Sequence, residues 1–341
     1  MRKFEKGKAY ASAGVDIDLG NRVKKGLQEK VRTTFGPEVL GCIGGFGGLY
    51  RADFRGMKEP VLVSSIDGVG TKVKLAVALG RHATVAQDLV NHCINDIAVT
   101  GARPLFFLDY IGAERLDEAV FDQLISGFTK ACKRGECAFI GGETAQLPDL
   151  YHSGEYDLAG CIIGLVDRPR IIDGSRIAPS DLMVGLPSNG LHTNGYTLAR
   201  KVLLEKLRLD LLQNVDGLPK PLGEELLRVH RNYHPIIAAI PAGRIKGAAH
   251  ITGGGLFDNL PRILPAGCDA LIDTSSWKIP HIFRLIQRGG EVSRHEMYRV
   301  FNMGIGMVLV VSKLHTAEVL IQTKGKVIGQ IVRGSGKVLL D

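Results

Sequence analysis

The chain has 341 residues, with a hydrophobic share of 45% and a charged share of 23%, which excludes a disordered or fibrous protein. At about 100–200 residues per domain, this length favours two domains. The net charge of +8 suits an anionic partner, but the basic residues are scattered and only one Trp is present, so we expect no nucleic-acid partner.

The cysteines and the N-terminus favour a cytoplasmic protein. Six cysteines lie at irregular spacing without a CxxC pair, which is typical of reduced thiols rather than of a disulfide framework or a zinc site. The N-terminus lacks the apolar region of a signal peptide, and no stretch approaches the ~20 apolar residues of a membrane span. We therefore expect no membrane partner.

The first half of the chain alternates apolar strands with helical patterns. The predicted elements are a strand at 61–66, a helix at 85–100, a strand at 105–111, a helix at 116–133, a short strand at 138–140 and a strand at 158–166. The segment DRPRIIDGSRIAPSD then interrupts the periodicity with prolines, a glycine and charges. It predicts a boundary near residue 170, between domains at 1–169 and 170–341.

A second series of elements follows. It comprises a strand at 182–186, helices at 195–207 and 224–239, a glycine-rich turn at 253–255, a strand at 307–311, a helix at 316–322 and a strand at 326–332. The fold class is therefore a mixed α/β (α+β) protein of two domains. Two domains leave a cleft, which is a common place for a ligand.

Acidic residues recur at positions that suit a metal. Asp67 ends the first predicted strand in SIDGVGTK, and Glu143 lies in GGETA, at a predicted turn after the short strand. In the first predicted helix, Asp88, His92 and Asp96 share one face at i, i+4 and i+8. Carboxylates that turn toward one cleft offer the hard oxygen ligands that Mg²⁺ prefers.

Glycine-rich segments supply the second half of such a site. GCIGGFGGLY (41–50) and DGVGTK (67–72) allow backbone N–H groups to approach phosphate oxygens, and Lys72 adds a point charge. Neither segment matches a Walker P-loop or a dinucleotide fingerprint, and each alone is more often a simple turn. Their presence together with the carboxylates favours a Mg-nucleotide site.

The second domain carries two further motifs. PSNGLHTNGY (187–196) holds His192 and Asn194 ahead of a predicted helix, and HITGGGLFDN (250–259) holds Thr252 and three glycines at a predicted helix start. Backbone N–H groups at a helix start bind phosphate. His192 and His250 are candidates for acid/base or phosphate-contacting roles, with capping or core roles as the alternative. An anion site in each domain suggests ATP in one and a phosphorylated substrate in the other.

The order of the motifs along the chain resembles one known family. The motifs are GVDIDLGN (14–21), GGFGGLY (44–50), DGVGTK (67–72), NDI (95–97), GARPLFFLDY (101–110), GGETA (141–145), SNGLHTNGY (188–196), HITGGG (250–255) and FNMGIGM (301–307). Together they resemble the phosphoribosylformylglycinamidine cyclo-ligases, or AIR synthetases, of the AIR synthase-related ATP-binding superfamily. NDI and the GG[DE]T turn are shared across that superfamily, whereas DGVGTK with SNGLHTNGY and HITGGG is typical of the cyclo-ligases.

The resemblance implies a fold, a reaction and a set of partners. The fold is a two-domain α+β homodimer, in which an N-terminal ATP-binding domain dimerises through its sheets and a C-terminal α/β domain binds substrate. The reaction is the ATP-dependent closure of formylglycinamidine ribonucleotide to aminoimidazole ribonucleotide, with Mg²⁺ as cofactor. The implied chemistry is phosphorylation of the formyl oxygen, attack by the amidine nitrogen and loss of phosphate.

The resemblance also assigns roles residue by residue. The metal and triphosphate carboxylates are Asp67, Asp96 and Glu143. The ATP or phosphate contacts are Gly44, Gly45, Gly47, Gly48, Gly68, Lys72 and Asn95. The cradle for the substrate's phosphate is Thr252, Gly253, Gly254 and Gly255. The candidates for catalysis or substrate orientation are His192, Asn194 and His250.

Two departures from the family pattern and two alternatives accompany this reading. The Tyr10-Ala11-Ser12 segment lacks a lysine that many members carry after the tyrosine, and Gln146 stands where many have glutamate.

One alternative function is that of a superfamily sibling that phosphorylates another acceptor, of the selenophosphate synthetase or thiamine-monophosphate kinase type. The other is a nucleotide-binding regulator without catalytic activity.

Overall fold

The structure is a computed structural model that describes residues 10, 14–41 and 44–341. Residues 42 and 43 of the 41–50 glycine loop and residues 11 and 12 of the Tyr10-Ala11-Ser12 segment lie outside the described residues. The chain forms two compact units. Unit 1 comprises Met1–Gly56, Ser64–Cys93 and Pro104–Ile163, and unit 2 comprises Met57–Val63, Ile94–Arg103 and Gly164–Asp341. The predicted domain boundary near residue 170 stays a prediction.

The elements of the first half follow the predicted order. They are α1 (Ile17–Arg32), β1 (Pro60–Gly68), a 3₁₀ helix (Gly70–Lys72), α2 (Val73–Leu79), α3 (His82–Ala98), β2 (Arg103–Ala113), α4 (Glu118–Arg134), β3 (Ala138–Gln146) and β4 (Tyr156–Asp167). The strands form a four-stranded sheet in the order β1-β4-β2-β3, in which β2 and β3 are parallel.

The sheet is buried on one face because apolar residues alternate along its strands. In β2, Leu105, Phe107 and Ile111 are buried, whereas Phe106 between them is half-buried. Phe107 packs against Phe128 of α4, with ring centroids 5.9 Å apart. This period of two is the expected pattern for a strand packed on one side only.

Helix α4 begins where its sequence provides a cap. The Asp117 side chain accepts hydrogen bonds from the backbone N–H groups of Ala119 and Val120, which satisfies two donors that the first helical turn leaves without a partner. Lys133 and Arg134 lie in the last turn, where positive charge is favourable. The helix is thus specified by local residues at both ends.

The second half contains the larger sheet. Its elements are β5 (Leu182–Pro187), α5 (Tyr196–Arg200), a π-helix (Lys201–Lys206), α6 (Leu222–Leu226), α7 (His234–Ala239), β6 (Ile245–His250), α8 (Gly255–Asn259), β7 (Cys268–Ile272), α9 (His281–Gly290), α10 (Arg294–Val300), β8 (Ile305–Val311), α11 (Thr316–Thr323), β9 (Lys326–Arg333) and β10 (Val338–Leu340). Short 3₁₀ helices lie at Arg168–Arg170, Leu260–Ile263 and Lys313–His315.

The six strands pair in the order β10-β7-β9-β5-β8-β6. The pairs from β7 to β6 are antiparallel, and β10 adds to β7 in parallel. All seven residues of β8 are buried, which explains why this strand reads as an unbroken apolar run. Leu309 of β8 shares a core cluster with Ile237 of α7 and Val319 of α11.

The helix predicted at 195–207 is present as α5 and the π-helix that continues it. Two other predicted elements are wrong in extent. The helix predicted at 224–239 is two short helices, α6 and α7. The strand predicted at 138–140 runs on to Gln146, so Glu143 lies within β3 and not at a turn. In each case pairing or packing by distant residues overrides local propensity.

The structure describes the thiols of five cysteines. Cys93, Cys132, Cys137, Cys161 and Cys268 carry free thiols, as their irregular spacing predicts. No helix in the part of the chain that the structure describes is both long and apolar enough to cross a membrane.

A buried carboxyl group lies in β2. Asp109 pairs in register with Gly142 of β3, and a Cβ built on Gly142 would lie 1.7 Å from the Asp109 Oδ1 atom, so only glycine leaves room for this carboxyl group. Burial raises the pKa of Asp109 to about 8, and the charge of nearby Glu143 adds to the rise. The carboxyl group is therefore held in its neutral form below that pH.

We expect Asp109→Asn to reduce the pH dependence of stability. Because the folded-state pKa is raised above its value of about 4 in an unfolded chain, stability conferred by the neutral carboxyl is complete below pH 4. It is lost as the pH rises toward 8. Between these pH values, the free energy of unfolding of the variant should rise relative to that of the wild type by on the order of a few kcal/mol. Urea unfolding at pH 5 and pH 8 measures this difference.

The matched control is Asp149→Asn, at an exposed position, which should leave the pH dependence unchanged. If the free energies of unfolding of the wild type and Asp109→Asn change in parallel with pH, the raised pKa of Asp109 is contradicted.

Candidate active site

Lys72 and Asp88 form a buried ion pair in unit 1. The Lys72 Nζ atom lies 2.7 Å from the Asp88 Oδ2 atom, and both side chains are 0% exposed. Burial lowers the pKa of Lys72, and the charge of Asp88 opposes that change. The predicted phosphate contact by Lys72 stays a prediction, but this geometry gives the ammonium group a buried structural partner and no exposed surface to offer a phosphate.

Asp67 is anchored and exposed at the end of β1. Its Oδ2 atom lies 2.8 Å from the His92 Nε2 atom of α3, and its Oδ1 atom accepts a hydrogen bond of 2.6 Å from the Gly68 backbone N–H. The Asp67 side chain is nevertheless 36% exposed. A carboxylate that is fixed in orientation and open to solvent fits a metal ligand.

Glu143 is an exposed side chain of β3, and its Oε1 atom accepts a hydrogen bond of 2.8 Å from the Thr144 backbone N–H. Within the described part of unit 1, Asp67 and Glu143 do not belong to any compact group of three metal-ligating side chains. A Mg²⁺ ion at either carboxylate would take its remaining ligands from water or phosphate oxygens, as this ion commonly does.

Gln146, one of the departures from the family pattern, has a structural role. Its Nε2 atom donates to the Asp16 carbonyl at 3.1 Å, and its Oε1 atom accepts from the Asp16 backbone N–H at 3.4 Å. A glutamate would lose the donated hydrogen bond, because a carboxylate only accepts. The amide therefore suits this position in the chain.

The predicted glycine contacts for ATP lie on exposed or strand-end backbone. Gly44, Gly45, Gly47 and Gly48 are exposed, and the Phe46 side chain among them is fully exposed. Gly68 is the last residue of β1 and lies close to the Leu158 carbonyl of β4. The exposed backbone is compatible with phosphate binding, which stays a prediction.

Asn95 has both side-chain atoms committed within unit 2. Its Nδ2 atom donates to the Arg231 carbonyl at 2.8 Å, and its Oδ1 atom accepts from the Tyr233 backbone N–H at 2.7 Å. These bonds hold the segment between α6 and α7, where a continuous helix was predicted. The geometry favours an anchoring role for Asn95 over the predicted ATP contact, which stays a prediction.

A histidine cluster lies in the interior of unit 2. The His250 Nδ1 atom is 2.7 Å from the Asp96 Oδ1 atom, and the His250 Nε2 atom is 3.0 Å from the His230 Nε2 atom. The His230 Nδ1 atom is 3.3 Å from the Thr193 Oγ1 atom. The ring of His192 stacks on that of His230 at 4.0 Å. The structure thus brings together predicted residues that lie far apart in the chain.

His230 is the member that sequence reasoning missed. It falls in RVHRNYHP, inside the segment predicted as one helix, where a histidine reads as a surface residue. No local motif marks it, and its partners lie about 20 and 37 residues away in the chain. The available signal was indirect: Asn232 and Pro235 favour a break in the helix.

His192, His230 and His250 have ring nitrogens within 4.8 Å of one another, but their orientation argues against a shared metal ion. The rings of His192 and His230 are inclined by only 19°. Ring nitrogens bind metals in the plane of the ring, so an ion between two nearly parallel rings would lie outside both planes. We therefore interpret the cluster as a hydrogen-bonded one.

The turn that contains Thr252 is held by one amide. The Asn259 Nδ2 atom contacts the carbonyls of Thr252, Gly253 and Gly255, the last at 2.7 Å. The Thr252 Oγ1 atom is 3.3 Å from the Asn259 Oδ1 atom. Because Nδ2 donates to the carbonyls, Oδ1 accepts the proton of the Thr252 hydroxyl. Any phosphate at this turn would therefore meet backbone N–H groups and not the proton of Thr252.

Glycine is required in this turn. Gly255 adopts a φ of +59°, and a Cβ on it would lie 1.9 Å from the Tyr298 carbonyl oxygen. Asn194 lies beside the same turn, because a Cβ built on Gly253 would be 3.3 Å from the Asn194 Oδ1 atom. The two predicted motifs of the second domain therefore meet at one place.

Comparisons with known proteins show the family of this chain. The family models described as AIR synthase related protein match the chain, the N-terminal domain at residues 52–166 and the C-terminal domain at residues 178–341. A phosphoribosylformylglycinamidine cyclo-ligase of Citrifermentans bemidjiense is 48% identical over 339 residues, and one of Alkaliphilus metalliredigens is 45% identical over 337 residues. Each alignment covers 97% of both chains. This chain belongs to the phosphoribosylformylglycinamidine cyclo-ligase family.

The fold of this cyclo-ligase family member also matches solved structures of low sequence identity. A thiamine-monophosphate kinase from Stenotrophomonas maltophilia has a TM-score of 0.68 at 18% identity, covering 96% of both chains. A hydrogenase maturation protein in complex with ATP has a TM-score of 0.68 at 16% identity, covering 96% of this chain and 93% of that one. These matches confirm the predicted two-domain AIR synthetase-like fold.

We expect Lys72→Met to destabilise the protein by about 3–5 kcal/mol, because it leaves the Asp88 carboxylate buried without its counter-ion. The double variant Lys72→Met with Asp88→Leu removes both charges and should recover most of that loss. Chemical denaturation of both variants measures the effect. Wild-type stability in the single variant, accompanied by weaker ATP binding, would restore the phosphate role of Lys72.

Proposed function

We propose that this protein closes formylglycinamidine ribonucleotide to 5-aminoimidazole ribonucleotide in de novo purine biosynthesis, with hydrolysis of ATP to ADP and phosphate. The observation that carries the proposal is 45–48% identity across 97% of the chain to proteins named phosphoribosylformylglycinamidine cyclo-ligase. Family members at this identity over a full-length alignment commonly share an activity. The motifs on which the resemblance rests lie in both units.

In the proposed reaction, the γ-phosphoryl group of ATP transfers to the formyl oxygen and forms an iminophosphate. The amidine nitrogen then attacks the formyl carbon, the carbon–oxygen bond breaks, and the oxygen leaves with phosphate. The first step converts a poor leaving group into a good one, which the second step expels. Phosphoryl transfer depends mainly on alignment and charge neutralisation, so the protein must hold its groups in place more than supply covalent chemistry.

The residues of unit 1 that support the ATP side are Asp67 and Glu143. Both carboxylates are exposed and have one oxygen held by a backbone N–H, which fits ligands of a Mg²⁺ ion. When bound, Mg²⁺ supplies charge neutralisation at the phosphate groups. The exposed backbone at Gly44–Gly48 supports triphosphate contacts. Asp96, which pairs with His250 in unit 2, stays a predicted metal and triphosphate carboxylate.

The residues of unit 2 that support the substrate side surround the glycine turn. Gly253, Gly254 and their neighbours offer backbone to the ribonucleotide's phosphate, and Asn194 beside them is suited to orient the substrate. This proposal rests on the geometry of the turn and on the family resemblance, because α8 is too short to contribute a substantial helix dipole.

The homodimer is a further part of the proposal. The edge strand β1 exposes Leu62 and Ile66, and Phe106 in β2 is half-buried. Exposed apolar residues on one sheet are typical of an association surface. We propose that two copies associate through this sheet, in the cytoplasm where the nucleotide substrates occur.

A coupled assay tests the function. Purified protein is incubated with formylglycinamidine ribonucleotide, Mg²⁺ and ATP, and release of ADP is followed together with formation of the aminoimidazole product. Equal amounts of both products are expected. ATP binding without product would overturn the proposal and indicate a sibling kinase or a regulator, and ADP release with another phosphorylated acceptor would identify the kinase.

We expect Asp67→Asn to lower kcat/KM for ATP about a hundredfold, since it removes the charge of an electrostatic contact to the triphosphate and its ion. The substitution is isosteric at a partly exposed position, so the free energy of unfolding should change by less than about 1 kcal/mol. Steady-state kinetics at saturating ribonucleotide measure the effect. An unchanged kcat/KM would remove Asp67 from the ATP site.

We expect Thr252→Val to raise the KM for the ribonucleotide about tenfold, which corresponds to about 1.4 kcal/mol, with a smaller change in the KM for ATP. Valine is nearly isosteric, but it cannot donate to the Asn259 Oδ1 atom, so the turn loses a bond that orders it. Thr252→Ser keeps the hydroxyl and serves as the control. Equal increases in both KM values would contradict the assignment of this turn to the substrate.

A further inference from the structure

We propose that His230 is a positioning residue that completes a directional hydrogen-bonded chain from Asn194 to Asp96. The members of the chain are Asn194, Thr193, His230, His250 and Asp96, all of which lie in unit 2. The proposal deepens the proposed function, because the two end residues are the candidate contacts to substrate and to triphosphate.

The direction of the chain follows from Asp96. An ionised carboxylate only accepts hydrogen bonds, so the 2.7 Å contact between Asp96 Oδ1 and His250 Nδ1 requires the proton on His250 Nδ1. In neutral His250 the Nε2 atom is then an acceptor. When both imidazoles are neutral, the 3.0 Å contact between the two Nε2 atoms requires His230 to donate from its Nε2 atom.

The same reasoning extends to the other end. Neutral His230 that carries its proton on Nε2 accepts on Nδ1, so the Thr193 hydroxyl donates across the 3.3 Å contact. The Thr193 oxygen accepts in turn from the Asn194 Nδ2 atom at 3.5 Å. This places the Nδ2 atom of Asn194 toward Thr193 and leaves its Oδ1 atom beside Gly253. One carboxylate thus determines two tautomers and one amide orientation.

The burial of the hydrogen-bonded chain supports a positioning role for His230. The imidazoles of His230 and His250 and the hydroxyl of Thr193 are buried, where water does not compete for their hydrogen bonds. The ends are accessible, because the Asp96 side chain is 27% exposed and Asn194 is half-buried. Buried hydrogen bonds between two accessible end residues are suited to hold those two functional groups in fixed orientations.

His192 packs against the hydrogen-bonded chain at His230. Its ring stacks on that of His230, and its backbone adopts a φ of +63°, which is uncommon for residues other than glycine. The stacked ring restrains the plane of His230 and hence the direction of its Nε2–H bond. The role of His192 in this arrangement is packing against His230.

The tautomers can be tested without any assay of activity. Histidine labelled with ¹⁵N in the full-length wild-type protein gives long-range ¹H–¹⁵N correlations that identify the protonated nitrogen of each ring, with single histidine variants for assignment. We expect the proton of His250 on Nδ1 and that of His230 on Nε2. A proton on His230 Nδ1 would reverse the direction of the chain and overturn the proposal.

Added Zn²⁺ provides a second arm of the same experiment. The orientation of the His192 and His230 rings predicts no change in the imidazole signals of the cluster. Stoichiometric binding that abolishes the N–H signals of His230 and His250 would instead make the cluster a metal site and overturn the hydrogen-bonded chain. This result, like the tautomers, is independent of whether the protein is a cyclo-ligase.

Kinetics test the role of His230 with two complementary variants. His230→Phe keeps an aromatic ring against His192 but removes both nitrogens, and should lower kcat at least tenfold. His230→Gln loses the ring but keeps an N–H donor for His250, and should retain kcat within about threefold of the wild type. Rescue by glutamine distinguishes positioning by hydrogen bonds from simple packing. The reverse order of activities would overturn the proposal.

A second pair of variants applies if His230→Phe does not fold. Thr193→Val removes the hydroxyl proton at nearly constant volume, and Thr193→Ser retains it. We expect the valine variant to raise the KM for the ribonucleotide at least fivefold, with the serine variant close to wild type and the tautomer of His230 unchanged in both. Equal kinetics for the two variants would contradict the link to Asn194.

Discussion

A polar group that is withdrawn from water must find a partner inside the protein. Helix α3 carries three such groups, Asp88, His92 and Asn95, and the partly exposed Asp96 follows them. Asp88 and His92 lie in unit 1, where they pair with Lys72 and Asp67. Asn95 and Asp96 lie in unit 2, where they hold the 231–233 segment and His250. These contacts add to the apolar stripe from which the helix is predicted.

The same constraint explains why the functional residues of unit 2 are ordered. His230 and His250 are buried, so each ring nitrogen needs a donor or an acceptor, and neighbouring groups supply one to each. A neutral imidazole has one donor and one acceptor. The role of one ring nitrogen therefore determines the role of the other nitrogen and, through the hydrogen bond between the rings, the tautomer of the next ring. The carboxylate of Asp96 is the only member that cannot change its role while ionised, and it therefore sets the direction for the whole chain.

Sequence reasoning recovered what depends on local pattern. Apolar segments predicted β2, β4 and β5, and helical patterns predicted α3 and α4, because these signals are contained within each element. It failed at 224–239, since the break there depends on Asn95, more than 130 residues away in the chain. It also placed Glu143 at a turn, because pairing of β3 with β2 extends a strand that local propensity ends early.

The residues of the candidate site also divide into those that the local sequence marks and those that it does not. The motifs around Asp67, Asn194 and Thr252 are visible because glycines and polar residues interrupt apolar runs. His230 carries no such mark, and the commitment of Lys72 to Asp88 is invisible without knowledge of burial. A lysine beside two glycines reads as a phosphate contact in sequence, yet desolvation makes a nearby carboxylate its necessary partner once it is buried.

The arrangement also suits the chemistry proposed for the family. Phosphoryl transfer gains most from alignment and from charges held in advance, and less from a free general base. In the directional chain, both nitrogens of His250 and both of His230 are already engaged in hydrogen bonds, so neither ring is available to take a proton without breaking a contact. What the chain provides is orientation: a carboxylate fixed at one accessible end and an amide fixed at the other. Histidines that appear in sequence as candidate acids or bases are here better suited to hold the groups that contact the reactants.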